Sequence, residues 1–153
     1  MLKASHNTGL VFFPAFDWAI DPTHPEREER LLYTQDQVTE EGIFDIPGIM
    51  EYKPKLISPH DIRRAHFCVP DESAVISESH LISGGGAKVI ADAFLNKEIK
   101  NGFALVRPPG HHSMRVVHGC RGFCNINIEA IMVEYIRSNS DHKKIAIVDT
   151  DCH

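Results

Sequence analysis

The chain has 153 residues, with 16 Lys and Arg against 21 Asp and Glu, so its formal charge is −5. One compact domain of this length buries roughly 68–70% of the surface its unfolded chain exposes, enough for a core without disulfide or metal staples. With 42% hydrophobic and 24% charged residues, fibrous, low-complexity and wholly disordered chains are excluded, and the acidic balance speaks against a phosphate-tracking surface while suiting a cationic substrate.

Along the chain, Thr8 to Phe13 (TGLVFF) reads as a first strand, from its aromatic and β-branched content and the Pro14 that ends it. A polar loop, Asp17 to Arg30, precedes a weakly periodic helix over Leu31 to Gly42, closed by Gly42. Ser58-Pro59 places a capping residue and a first-turn proline in order, so a short helix starts at Pro59. Behind Gly84-Gly85-Gly86, the residues Ala87, Ile90, Ala91, Phe94 and Leu95 recur on one helical stripe to Asn96. Phe103 to Val106 (FALV) is a short apolar run of the kind a doubly covered parallel strand shows. The pattern repeats with a stripe of Ile128, Ile131, Met132, Tyr135 and Ile136, then a second buried strand, Ile145 to Val148 (IAIV). Alternating helices and strands imply right-handed crossovers and a mainly parallel α/β sheet, treated as one unit over residues 1–153.

No apolar run reaches the roughly 20 residues that cross a bilayer. Met1 to Phe16 lacks the small-residue cleavage site of a signal peptide, so the expected compartment is the cytoplasm. Cys68, Cys120, Cys124 and Cys152 contain no CxxC pair and read as buried, reduced thiols.

Both expected strands run into polar residues, and in open α/β sheets ligands bind beyond the carboxyl ends of strands. Arg107 to His112 and Asp149 to His153 should therefore lie side by side at one rim, the candidate active site. Asp149-Thr150-Asp151-Cys152-His153 spaces carboxylate, carboxylate and imidazole at every second residue, a donor set suited to Zn²⁺ or another divalent ion. Pro108-Pro109-Gly110-His111-His112 presents two imidazoles, able to divide base and acid roles near neutral pH. In Gly122-Phe123 a glycine beside an aromatic lets backbone approach a ligand while the ring forms an apolar wall. Each segment alone also fits a plain structural role: an acidic turn, a surface histidine loop, a helix entry.

Together RPPGHH (Arg107 to His112), GFCNIN (Gly122 to Asn127) and IVDTDCH (Ile147 to His153) resemble the zinc-dependent histone deacetylase and acetylpolyamine amidohydrolase superfamily. TGLVFF, HPEREERL (His24 to Leu31), DIRRAH (Asp61 to His66) and the glycine-led helix before FALVRPPGHH match in support, so the resemblance spans essentially the whole chain. It implies the arginase/deacetylase-type fold, with Asp151 and His153 as two zinc ligands and His111 and His112 as the tandem catalytic histidines. It also implies Asp149 as the carboxylate orienting His111, Gly122 and Phe123 along a narrow substrate channel, and a structural K⁺ near the Asp149 to His153 backbone. The implied substrate is an acetylated lysine or acetylpolyamine, with no nucleic acid or membrane partner.

The resemblance also has departures. The chain reaches His153 inside a motif that the family continues, which implies an N-terminal part of one deacetylase-like domain, its fold incomplete at the C-terminus. A third ligating aspartate, the carboxylate behind His112 and an oxyanion-holding tyrosine are unmatched, so isolated residues 1–153 should bind zinc poorly and could associate with a missing half or another copy. The longer interval Ser113 to Arg121 and the apolar Ile128 favour a bacterial-type amidohydrolase over a chromatin enzyme. Two competing expectations are a catalytically inactive fragment acting as an interaction module, and an arginase-like manganese enzyme, which the GHH and Asp-x-Asp-x-His patterns disfavour.

Overall fold

In the computed structural model, residues 2–13, 27–67, 76–116 and 122–152 are described. Most of the expected polar loop, the start of HPEREERL, Cys68, Cys120 and His153 lie outside them. The elements in order are β1 (Thr8–Phe13), α1 (Glu28–Glu40), a 3-10 turn (Ile43–Asp45), β2 (Ile49–Tyr52), α2 (Pro59–Ala65), α3 (Glu78–Leu95), β3 (Asn101–Val106) and α4 (Ile128–Asn139).

Strand β1 is central in a three-stranded sheet of order β2-β1-β3, and both of its pairings are parallel. Thr8 faces Ile49 on one side and Asn101 on the other, and Val11 faces Tyr52 and Ala104. Its central place explains why Leu10 and Val11 are buried while β3, at the sheet edge, leaves Phe103 57% exposed. The expected double covering of Phe103 to Val106 is thus not observed. Among the described residues β3 pairs with β1 alone and has helix α3 packed on it.

The second expected strand is corrected outright. Ile145 to Val148 forms no strand, and Ile147 and Val148 are 57% and 83% exposed. A ladder requires a partner for each alternate N–H and C=O, and among the described residues no strand lies beside this run. Its apolar pattern reports a wish for burial that these elements leave unmet.

Helix α3 starts six residues before the Gly84 expected from the sequence. Ser77 opens it in a capping box closed by His80 in place of the usual Glu or Gln. The three glycines therefore lie inside the helix, where each costs up to ~1 kcal/mol in propensity. They are there because α3 passes too close to its neighbours for any side chain. A Cβ on Gly85 would lie 1.4 Å from the Lys55 carbonyl oxygen, and one on Gly86 would meet Val106 at 2.8 Å. Helix α3 packs on β1 and β3 and against α4, which in turn packs on α2. Ile57, Ile62, Ile76, Ala87, Ile126, Ile128 and Ile131 form the core between these elements, each fully buried isoleucine contributing about 1.5–3 kcal/mol. No helix among the described residues is long and apolar enough to cross a membrane. Of the cysteines, Cys124 is buried as expected, whereas Cys152 is exposed.

The capped helix at Pro59 forms where expected, and Asp61 does more than cap it. Its carboxylate accepts from Ser58 N at 3.1 Å, Ser58 Oγ at 2.8 Å and Lys88 Nζ at 3.2 Å, and pairs with Arg64 Nε at 3.4 Å. These bonds tie α2 to α3 at a site where Asp61 is only 3% exposed. Burial pushes its pKa up, but the Ser58 backbone, the Ser58 hydroxyl and Lys88 outweigh it and hold the carboxyl below the ordinary 3.8. A pKa lower in the folded than in the unfolded state gives stability that is present above 3.8 and lost as pH falls through the folded value. Asp61→Ala should cost about 2 kcal/mol in urea unfolding at pH 7, and the gap between variant and parent should close in acid below 3.8.

Candidate functional site

The loop after β3 is held by its neighbours before its histidines are reached. Arg107-Pro108 is a cis peptide, and the buried Ser83 hydroxyl of α3 donates to the Pro108 carbonyl at 2.7 Å. Gly110 lies against the entry to α4, where a Cβ would stand 2.4 Å from Ile128 N and 2.9 Å from Ile126 O. Ser113 N–H then donates to Gly110 O at 3.1 Å and closes a turn around the pair. His111 and His112 project from this turn with ring centroids 4.2 Å apart and planes inclined by 48°.

Against this pair sits the second segment. Gly122 and Phe123 both have left-handed backbone, φ 54° and 67°. A Cβ on Gly122 would meet His112 Cδ2 at 2.6 Å, so this glycine is required both by its conformation and by contact with the ring. For Phe123 the left-handed region costs about 1–2 kcal/mol, and the Arg107 guanidinium lies over its ring, 5.9 Å from the centroid. Asn127 caps α4, its side chain accepting from Ala130 N–H at 2.8 Å.

The third segment arrives without a strand to carry it. Asp149 Oδ2 accepts from His111 Nδ1 at 2.8 Å. Its other oxygen, Oδ1, accepts from Asp151 N–H at 3.0 Å. Those two bonds, the Asp151 backbone first and His111 next, hold the Asp149 carboxyl below its ordinary 3.8. With a carboxylate on Nδ1, His111 keeps a proton there and turns Nε2 away from Asp149, the orientation in which a neutral imidazole serves as a base. His111, Asn127, Glu129, Ile147, Val148 and Asp149 line a cleft of about 240 Å³. Glu129 Oε2 is buried in it with no hydrogen-bond partner among the described residues.

The structure thus brings together His111, His112, Asp149, Gly122 and Phe123, all expected from the sequence. Asp151 is exposed and joined to Asp149 through its backbone, and His153 lies outside the described residues. Both Asp149 carboxylate oxygens accept hydrogen bonds, one from His111 and one from the Asp151 backbone. Among the described residues no three His, Cys, Asp or Glu side chains are placed to hold a metal ion. The donor types of Asp151 and His153 suit zinc, but two donors are one fewer than a catalytic zinc takes from protein. Glu129 was not legible beforehand, since a glutamate in a helix's first turn reads as an ordinary partner of the helix dipole.

The chain is similar to known proteins. A family model described as the histone deacetylase domain matches residues 69–153, more than half of the chain. The chain belongs to the histone deacetylase domain family. It is 37% identical to a probable deacetylase of Archaeoglobus fulgidus over 95% of this chain and 45% of that protein. It is 39% identical to human histone deacetylase 9 over 82% of this chain and 13% of that protein. It is also 28% identical to the polyamine deacetylase HDAC10 of Danio rerio, over 86% of this chain and 18% of that one. The chain spans less than half the length of each of these relatives. The crystal structure of the HDA15 HD domain superposes with a TM-score of 0.70 at 21% identity, covering 86% of this chain and 43% of that one. The α/β fold with its parallel sheet is therefore that of a histone deacetylase domain, of which these elements form a part.

Placing a methyl group at Gly122 tests the packing of the histidine pair. Gly122→Ala should displace the His112 ring, seen as loss of nuclear Overhauser contacts between the two imidazoles. The far-UV circular dichroism should stay that of the parent, since residue 122 lies in no helix or strand.

Proposed function

We propose that this chain carries the histidine side of a zinc-dependent deacetylase site, one that cleaves an acetyl group from a lysine or polyamine amine. The observation that carries the reading is the 2.8 Å bond from His111 Nδ1 to Asp149 Oδ2 beside the ring of His112. It supports a tandem pair in which Asp149 orients His111 and His112 takes a second proton-transfer role. Asp151 and His153 would supply two of the metal's ligands, with a third from outside these residues. When bound, the metal would polarise the acetamide carbonyl and acidify water.

This chain's own residues would then act on protons. His111 Nε2 would accept a proton from water at the cleft, with Asp149 stabilising the imidazolium that forms, and the histidine pair would pass that proton on to the departing amine. Gly122 and Phe123 would form the wall along which the substrate's alkyl chain lies, and the same backbone around Asp149 would hold a structural K⁺. The amine leaves as a cation, and the acidic balance of the chain favours that class of substrate. The word polyamine in the name of the Danio rerio relative supports polyamines beside acetyl-lysine as substrates.

The test is a graft of residues 1–153 in place of the matching segment of the Archaeoglobus fulgidus relative. We expect zinc-dependent release of acetate from an acetyl-lysine peptide or an acetylated polyamine. The rate should fall about 10²–10⁴-fold in His112→Ala. A folded graft that loads zinc but releases no acetate would contradict the reading and favour a catalytically inactive interaction module.

A further inference from the structure

Two of the described histidines that the deacetylase reading does not use are buried: His66 is 1% exposed and His80 is 2% exposed. Each is bound in a way that dictates where its proton sits. His80 Nδ1 accepts the Ser77 backbone N–H at 3.2 Å, and its Nε2 lies 3.2 Å from the Phe123 carbonyl oxygen. A backbone N–H only donates and a carbonyl only accepts, so His80 must be neutral with its proton on Nε2. His66, at the end of α2, is the reverse. Its Nε2 accepts the Asn127 backbone N–H at 2.9 Å, so a neutral His66 carries its proton on Nδ1. Burial pushes the His66 pKa down, against an upward pull from the Arg115 and Met114 backbone. The next residue, Phe67, donates its N–H to Arg115 O at 3.2 Å, fastening the same corner to the chain beyond the histidine loop.

These two contacts fall on the two ends of one short segment, Phe123 to Asn127. Phe123 has φ 67°, and a non-glycine residue stays in that region only where its surroundings over-determine it. Asn127 lines the cleft and caps α4. Between α2, α3 and the catalytic wall there is thus a direct polar link through each imidazole. Leucine in either place would leave a backbone group of the segment without this partner, and lysine or arginine has no acceptor to offer.

We propose that His80 and His66 are positioning residues: two neutral imidazoles of opposite tautomer that grip Phe123 and Asn127 and so set the Gly122-Phe123 wall against His112. What the wall serves rests on the deacetylase reading, whereas the grip itself concerns this fold alone. Long-range ¹H–¹⁵N correlation spectra of the 153-residue chain, without zinc or substrate at neutral pH, read it directly. His80 should show a protonated Nε2 and bare Nδ1, and His66 a protonated Nδ1 and bare Nε2. His80→Leu should shift the Phe123 amide and His112 ring signals, and His80→Gln, whose amide nitrogen can reach the Phe123 carbonyl, should return them toward the parent. Identical tautomers, double protonation of either ring, or signals unmoved in His80→Leu would overturn the proposal. If His80→Leu does not fold, the tautomers of the parent chain decide alone. No turnover is measured, so failure here leaves the deacetylase reading intact, and an inactive graft leaves the grip intact.

Discussion

The structure depends on backbone coming closer to its neighbours than a side chain permits. At Gly85 helix α3 is brought onto the Lys55 carbonyl, at Gly110 the histidine loop is brought onto the entry of α4, and at Gly122 the backbone is brought onto the His112 ring. Each approach shortens the distance between two parts that must cooperate, and each costs conformational entropy, because glycine loses more freedom on folding than any other residue. The cost is offset by burial of the isoleucine core around Ile57, Ile126 and Ile131 and by the Ser83 to Pro108 bond that holds the loop in place.

From these approaches the site follows. A turn stiffened by two prolines and seated on α4 leaves the two imidazoles little choice of direction. Asp149 completes the arrangement from a segment without secondary structure, using both oxygens, one toward His111 and one toward Asp151. The polar anchors behind the wall extend the same logic inward, since His66 and His80 convert the positions of α2 and α3 into positions of Asn127 and Phe123.

Much of this was legible in the sequence because local rules and tertiary needs agree there. The bounds of β1 and the Ser58-Pro59 start of α2 were expected and found, since a β-rich run before a proline and a capping pair act within a few residues. The start of α3 was missed because the three glycines read as the head of the helix, while their reason for lying inside it, the Lys55 carbonyl, lies far away in the chain. Strand β2 passed unread: four residues with Glu51 among them carry little pattern. The run Ile145 to Val148 shows the opposite failure, since a continuous apolar run signals a demand for partners and says nothing of their supply. In the site, motif residues were visible as motifs, whereas His66 and His80 look in sequence like any other histidines, and only the donors and acceptors around them reveal their task.

The central claim is that Asp149 reaches His111 although no strand carries it there. The nitrogen-15 signals of His111 measure this contact most directly. In the parent chain we predict the His111 proton on Nδ1, and in Asp149→Ala a move of that proton toward the Nε2 form favoured by a solvated imidazole. A His111 spectrum that is the same in parent and Asp149→Ala would contradict the account, because the two residues would then not meet.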